Sequence, residues 1–235
     1  MSSRAPSIRI GIYGHDRVGR NERHGCGLWP AGYASCVTAA DAVPVMLDES
    51  SEASWEEMTA DLGGILLIGH DGDPRRNLFQ AESLCLWCRK QQFPILGVDH
   101  GLHIMNVAFG GTIHQDVTRE LADSLQHRHP PDRGLRHAIN VVPGTHLARF
   151  YGEGEIVVNS EHRRAIQKVA RNFRVSAQAL DGVVEAIESE RDNWFAMGIQ
   201  WNPASATSSG LDIQVFRGLI DACRHRIEAL VPVAA

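Results

Sequence analysis

Short apolar runs rich in β-branched residues recur along this chain with helix-patterned stretches between them. That alternation constrains the fold more than any other feature. Ile8-Arg9-Ile10-Gly11-Ile12-Tyr13, Val43-Pro44-Val45-Met46-Leu47, Ile65-Leu66-Leu67-Ile68 and Pro94-Ile95-Leu96-Gly97-Val98 are all of strand length. Three of them are close to continuously apolar, as strands of a parallel sheet covered on both faces must be. Parallel neighbours need a crossover, and helical patterns over 33–40, 55–62 and Leu78–Gln91 supply the connections. A further helix is predicted at His100–Ala108, with Gly110-Gly111 as its stop.

The second half changes character. Strands are predicted over 138–142, 155–158, Phe173–Ala179, 183–187 and 195–200, joined by short turns, so antiparallel pairing is expected there. Asp181-Gly182 is a hairpin signal between two of them. A last amphipathic helix covers 211–230, and the stretch 125–136, with clustered His, Arg and Pro, is expected to be a surface loop. No repeat or linker interrupts the pattern, and 235 residues suit one large α/β domain over 1–235.

Composition narrows the function classes. A net charge of −5 opposes nonspecific binding to nucleic acid or anionic lipid, so neither is expected as a partner. No run approaches the ~20 apolar residues of a membrane span. The N-terminus enters a strand without a signal-peptide stretch, which makes a cytoplasmic location the expectation. The five cysteines, Cys26, Cys36, Cys85, Cys88 and Cys223, have no framework spacing. Cys85 and Cys88 sit inside a helical pattern and are expected to be buried thiols rather than a redox or zinc pair.

The densest chemical signal is Pro94-Ile95-Leu96-Gly97-Val98-Asp99-His100-Gly101-Leu102-His103. A buried strand runs through a Gly-x-x-x-Gly turn straight into a helix. This is the geometry of a nucleophile elbow, which holds its central residue at the strand-to-helix turn above a helix N-terminus.

The segment resembles the Gly-x-Cys-x-Gly elbow of class I glutamine amidotransferases. Its continuation through Gly110-Gly111-Thr112-Ile113-His114 is similar to the γ-glutamyl-γ-aminobutyrate hydrolase branch, and other matches follow in order. The stretch 33–44 resembles that branch's first helix and turn into its second strand. Val158-Asn159-Ser160-Glu161-His162 resembles its Val-Asn-Ser-x-His segment. Asp181-Gly182-Val183-Val184-Glu185-Ala186 resembles its Asp-Gly-x-x-Glu-Ala, and Gly198-Ile199-Gln200-Trp201-Asn202-Pro203 its Gly-x-Gln-Trp-His-Pro-Glu. The resemblance implies a flavodoxin-like three-layer α/β sandwich, a mostly parallel central sheet with an antiparallel extension. It also implies an oxyanion hole from the backbone N–H groups of Gly69 and His100.

The departures fall on the triad. The resemblance places Asp99 where the family has its cysteine nucleophile, Asn202 where it has the general-base histidine, and Ala204 where it has the orienting glutamate. Thiol catalysis needs a thiolate and an imidazole that takes and returns a proton. None of the three substitutes supplies either, so glutaminase or γ-glutamyl hydrolase activity is not expected. The preferred reading of Asp99 is structural, as a helix N-cap whose charge complements the helix dipole. Its competitors are an aspartate nucleophile and a metal ligand.

Among the histidines, His100 and His103 have a helical spacing that can face one ion, but nothing nearby in the chain completes a ligand set. His127 and His129 read as surface residues, His137 as packing, Glu185 as a satisfied strand carboxylate, and Arg163-Arg164 as a solvated turn. The expectation is a catalytically degenerate hydrolase-like protein without cofactor or metal, binding a small acidic or γ-glutamyl-like metabolite through Gly69, Asp99, His100, His103 and His162. A protein partner or a homodimer is the other use left open for its surface. A hydrolase using Asp99 as nucleophile or metal ligand is the alternative.

Overall fold

The computed structural model describes residues 7–14, 31–48, 51–68, 78–129 and 134–230. Gly69 and Cys26 lie outside the described residues.

Among the described residues eleven strands form one mixed sheet. Strands β1 (Arg9–Tyr13), β2 (Val43–Met46), β3 (Gly64–Leu67), β4 (Ile95–Val98) and β11 (Ala196–Ile199) run parallel in the order β2-β1-β3-β4-β11. Beyond β11 the sheet turns antiparallel through β10 (Val184–Ser189), β9 (Phe173–Ala179), β6 (Arg136–Val141) and β7 (Gly154–Asn159). Two short strands, β5 (Thr112–His114) and β8 (Ala165–Lys168), pair with each other, and β8 also meets β10.

Period-two alternation along the parallel strands feeds two cores. Ile10 and Ile12, Leu66 and Ile68, Leu96 and Val98, and Met197 and Ile199 face one side. There α1 (Ala31–Ala39), α6 (His146–Tyr151) and α7 (Ile213–Leu230) cover them with Tyr33, Val37, Leu147, Phe216 and Leu219. Ile65, Leu67 and Ile95 face the other side, beneath α3 (Leu78–Gln91) and α4 (His100–Ala108). Because both faces are covered, the strands have no room for polar residues, and that produces the continuous apolar runs.

Helix α3 buries Ala81, Leu84, Cys85 and Cys88, the i, i+3, i+4, i+7 stripe of one helical face. Burial raises the pKa of both thiols, so Cys85 and Cys88 are inert packing residues, as expected. The shorter α2 (Trp55–Met58) starts at a capping box in which Ser54 and Glu57 exchange bonds, and it stops at Thr59, earlier than the predicted 55–62. Among the described residues no helix is long and apolar enough to cross a membrane.

The elements not predicted are all short: β5, β8, α5 (Val117–Glu120) and α6. Helix α6 depends on tertiary contacts. Thr145 accepts from the Ala148 N–H, while the first N–H groups at His146 and Leu147 donate to the buried Glu188 of β10. The stretch 125–136 is also not the plain surface loop expected, because His127 within it is only 2% exposed.

Candidate functional site

Parallel β4 and β11 lie side by side in the middle of the sheet, so the residues after them meet at the C-terminal ends of the strands, where open α/β sheets place their ligands. Asp99 follows β4, and its N–H donates to the Ile199 carbonyl at 2.9 Å. Its backbone is at φ 50° and ψ −110°, a left-handed conformation that few L-residues adopt. The strand-to-helix turn is therefore as tight as the elbow pattern predicts.

Two glycines allow it. A Cβ on Gly101 would sit 2.1 Å from the Leu67 carbonyl oxygen of β3, and one on Gly97 would meet the Gly101 carbonyl oxygen at 2.9 Å. Both obstacles are main-chain atoms that cannot swing away, so the Gly-x-x-x-Gly spacing is a packing requirement.

The expected N-cap role of Asp99 is not what the structure contains. Its side chain makes no capping hydrogen bond to α4. The left-handed backbone turns the carboxylate away from the helix N–H groups, and Oδ1 instead accepts from Gln200 Nε2 at 2.9 Å. The same amide joins His103, whose Nε2 lies 2.7 Å from Gln200 Oε1. With the amide nitrogen committed to the carboxylate, its oxygen must accept, so His103 carries its proton on Nε2. Burial then holds the pKa of His103 down to about 3, with the Gln200 bond acting against the shift, and the ring is neutral. The chain Asp99–Gln200–His103 thus locks both side chains flanking the elbow.

Asn202 and Ala204 occupy the turn after β11. Asn159 pins this turn with two bonds, its Oδ1 accepting from Asn202 N–H and its Nδ2 donating to Asn202 O, each at 2.9 Å. The Asn202 side-chain oxygen accepts from Ala204 N–H at 2.8 Å, closing a local turn. Trp201 is buried and donates to Asp212, a packing role as expected.

Of the expected ligand-binding residues, Asp99, His100, His103 and His162 line one pocket, joined by Glu161, Arg163 and Arg164. Its volume is about 10 Å³. Arg163 is exposed, but Arg164 is buried rather than part of a solvated turn, because β8 begins at the next residue and carries it under the sheet extension.

A second constellation lies beside this pocket and shares His162 with it. His127 from the loop before β6, His137 on β6, His162 from the loop before β8 and Glu185 on β10 converge, each at most 9% exposed. Glu185 Oε1 lies 3.4 Å from His127 Nδ1, 3.5 Å from His137 Nε2 and 3.3 Å from His162 Nε2. None of these nitrogens and neither Glu185 oxygen makes a hydrogen bond. Glu185 is thus not the satisfied strand carboxylate expected, since no donor reaches either oxygen with hydrogen-bond geometry. Burial opposes its charge, yet His162 and then His127 and His137 hold the carboxyl down at about 2. His127 is raised, because Glu185 and Asp181 outweigh its burial, whereas burial dominates at His137 and lowers it.

Chain spacing could not reveal this group, since its members come from four separate segments. The readable signal was Glu185 itself, a carboxylate in the apolar run Val183-Val184-Glu185-Ala186-Ile187. Such a charge is rarely buried unless it is paired or bound to metal.

This architecture and the elbow at its strand ends define an α/β protein of the glutamine amidotransferase-like class. The glutaminase domain of Trypanosoma brucei CTPS superposes with a TM-score of 0.64 at 14% identity, over 93% of this chain and 94% of that one. The peptidase C26 family model matches residues 70–204, and the chain belongs to that family. Its relatives include the γ-glutamyl-γ-aminobutyrate hydrolase PuuD of Escherichia coli K12, 29% identical over 83% of this chain and 86% of that protein. Protein NtpR of Enterococcus hirae is also 29% identical, over 82% of this chain and 86% of its own length.

Proposed function

We propose that this chain is a non-hydrolysing member of its family, which keeps the scaffold and a small anion-accepting mouth but has lost thiol amidase chemistry. What supports the reading is the residue type at the three positions that the family resemblance assigns to the triad. Asp99 replaces a thiolate with a weaker nucleophile, and its attack on an amide would form an anhydride while expelling an amine. Gln200 also holds that carboxylate in place. Asn202 has no titratable group, and its amide oxygen is engaged by Ala204 N–H, at a residue whose methyl group can orient nothing. A general base near neutral pH is required for the reaction. The buried imidazole beside the elbow, His103, is too weak a base for this role, since burial holds its pKa down to about 3 and its Nε2 is already bonded to Gln200.

Arg163 and Arg164 would receive the carboxylate of a small acidic metabolite, although the carboxylates of Asp99 and Glu161 also line the pocket. A volume of 10 Å³ is close to what one water needs, so only the tip of a ligand, such as one carboxylate, enters. One observation favours the alternative of replaced chemistry. Asp99 is held in a strained conformation without capping the helix, as a residue placed for reaction would be.

One set of assays separates the two readings. Purified protein should release neither ammonia from glutamine nor γ-aminobutyrate from its γ-glutamyl conjugate above a no-protein control. Titration with L-glutamate should give saturable heat that Arg164→Gln weakens. Product release would overturn the proposal. An adduct on Asp99, seen by intact mass after exposure to an activated ester or alkyl halide, would establish the replaced-chemistry reading instead.

A further inference from the structure

We propose that His127 Nδ1, His137 Nε2, His162 Nε2 and the Glu185 carboxylate bind one divalent transition-metal ion of the zinc class in a closed, four-ligand site. The outward-facing nitrogens carry the argument. His127 Nε2 lies 2.8 Å from Asp181 Oδ2, His137 Nδ1 lies 3.2 Å from the Ala138 carbonyl oxygen, and His162 Nδ1 lies 2.9 Å from the Arg164 carbonyl oxygen. All three partners are acceptors, so each imidazole places an N–H outward and, in its neutral form, turns a lone pair inward. Glu185 adds a carboxylate, which also only accepts. With all three rings neutral, four acceptors therefore face one another in a buried space, and only a cation, a metal ion or a proton on His127, can sit among them. Such a group is stable only around a cation.

The geometry suits a metal ion. Bonds of ~2.0–2.1 Å from a tetrahedral zinc give ligand-to-ligand edges of roughly 3.3 Å. The three nitrogens lie 3.3, 3.4 and 3.5 Å from Glu185 Oε1. All four ligand atoms fall within 4.8 Å of one another, and the wider separations close as an ion draws the rings inward. The outward bonds are the second shell that orients histidine ligands in metal sites, and Asp181 forms a carboxylate–histidine pair of the usual kind. Three imidazoles and one carboxylate favour zinc or a neighbouring first-row ion over magnesium or calcium, which prefer all-oxygen shells.

With four protein ligands the site is structural rather than catalytic. It ties the loop before β6, β6 itself, the loop before β8 and β10 into one unit, and it fixes His162 in the wall of the Asp99 pocket. His100 and His103, the pair whose chain spacing suggested a metal, do not form this site, because His103 Nε2 is committed to Gln200. The expectation of no metal rests on that spacing and on reading His127 as a surface residue and His137 as packing, and this proposal replaces it. It is independent of whether hydrolysis survives at Asp99.

The test uses untagged full-length protein stripped with a chelator and checked for folding by circular dichroism. Titration with zinc sulfate should saturate at one equivalent with submicromolar affinity and raise the melting temperature. Cobalt(II) should give visible bands of the intensity that marks four-coordinate cobalt. Glu185→Gln and His137→Gln should abolish the one-equivalent step, and Asp181→Asn, which touches only the second shell, should weaken it by about 10–100-fold. If a variant does not fold, the cobalt spectrum of the unmodified protein decides. The absence of a saturable one-equivalent step in folded, stripped protein would overturn the proposal and leave a shared proton as the cation. Undiminished zinc binding by a folded Glu185→Gln variant would overturn it equally, by placing the metal elsewhere.

Discussion

At Asp99 the backbone and the side chain make opposite demands. A φ of 50° with ψ −110° favours glycine, and holding a side chain there costs roughly 1–3 kcal/mol. The carboxylate recovers part of that cost through the bond from Gln200, a contribution of about 1 kcal/mol. Asp99→Gly relieves the strain while losing the bond, and should be about as stable as the parent. Asp99→Ala keeps the strain and loses the bond, and should fall about 1 kcal/mol below Asp99→Gly in urea melts. The opposite order would mean that the turn is relaxed and the elbow geometry wrong. Aspartate at a helix start reads as a cap because most helices begin from an extended residue. What the chain could not convey is that the close approach of α4 to β3 forces a left-handed turn and swings the carboxylate off the helix axis.

For the elements, the decisive contact is α4 on the sheet. Gly101 presses against the Leu67 carbonyl, and an added methyl would stand 2.1 Å from that oxygen. Gly101→Ala must push the helix outward and should cost about 1–3 kcal/mol in chemical denaturation. A neutral Gly101→Ala would show that α4 sits further from β3 than described. Elements of this kind were legible, since α3, α4 and β9 follow their residue patterns from end to end. The short ones were not. Helix α6 has six residues, and its start relies on Glu188 some forty positions away, so no local pattern announces it. Strands β5 and β8 exist because they pair with each other.

Across the whole molecule, Asp99 and the turn holding Asn202 and Ala204 follow two adjacent parallel strands that the sheet holds in register. If only side-chain chemistry has been lost, it can be restored. Asp99→Cys should place a thiol at a helix N-terminus with a lowered pKa, alkylated faster than a free thiol at neutral pH. The triple variant Asp99→Cys, Asn202→His, Ala204→Glu should hydrolyse an activated ester weakly but measurably. Each partial combination should stay near background, because such groups act as a unit. A folded Asp99→Cys variant no more reactive than a free thiol would contradict the elbow. What the sequence by itself determined was the α/β alternation and the elbow glycines, since these depend on local periodicity and on residue type at fixed spacing. The tertiary structure alone decided that Asp99 faces Gln200 and that His127, His137, His162 and Glu185 meet. Those encounters join segments far apart in the chain, and strand order and register, not spacing, set which side chains share a buried space.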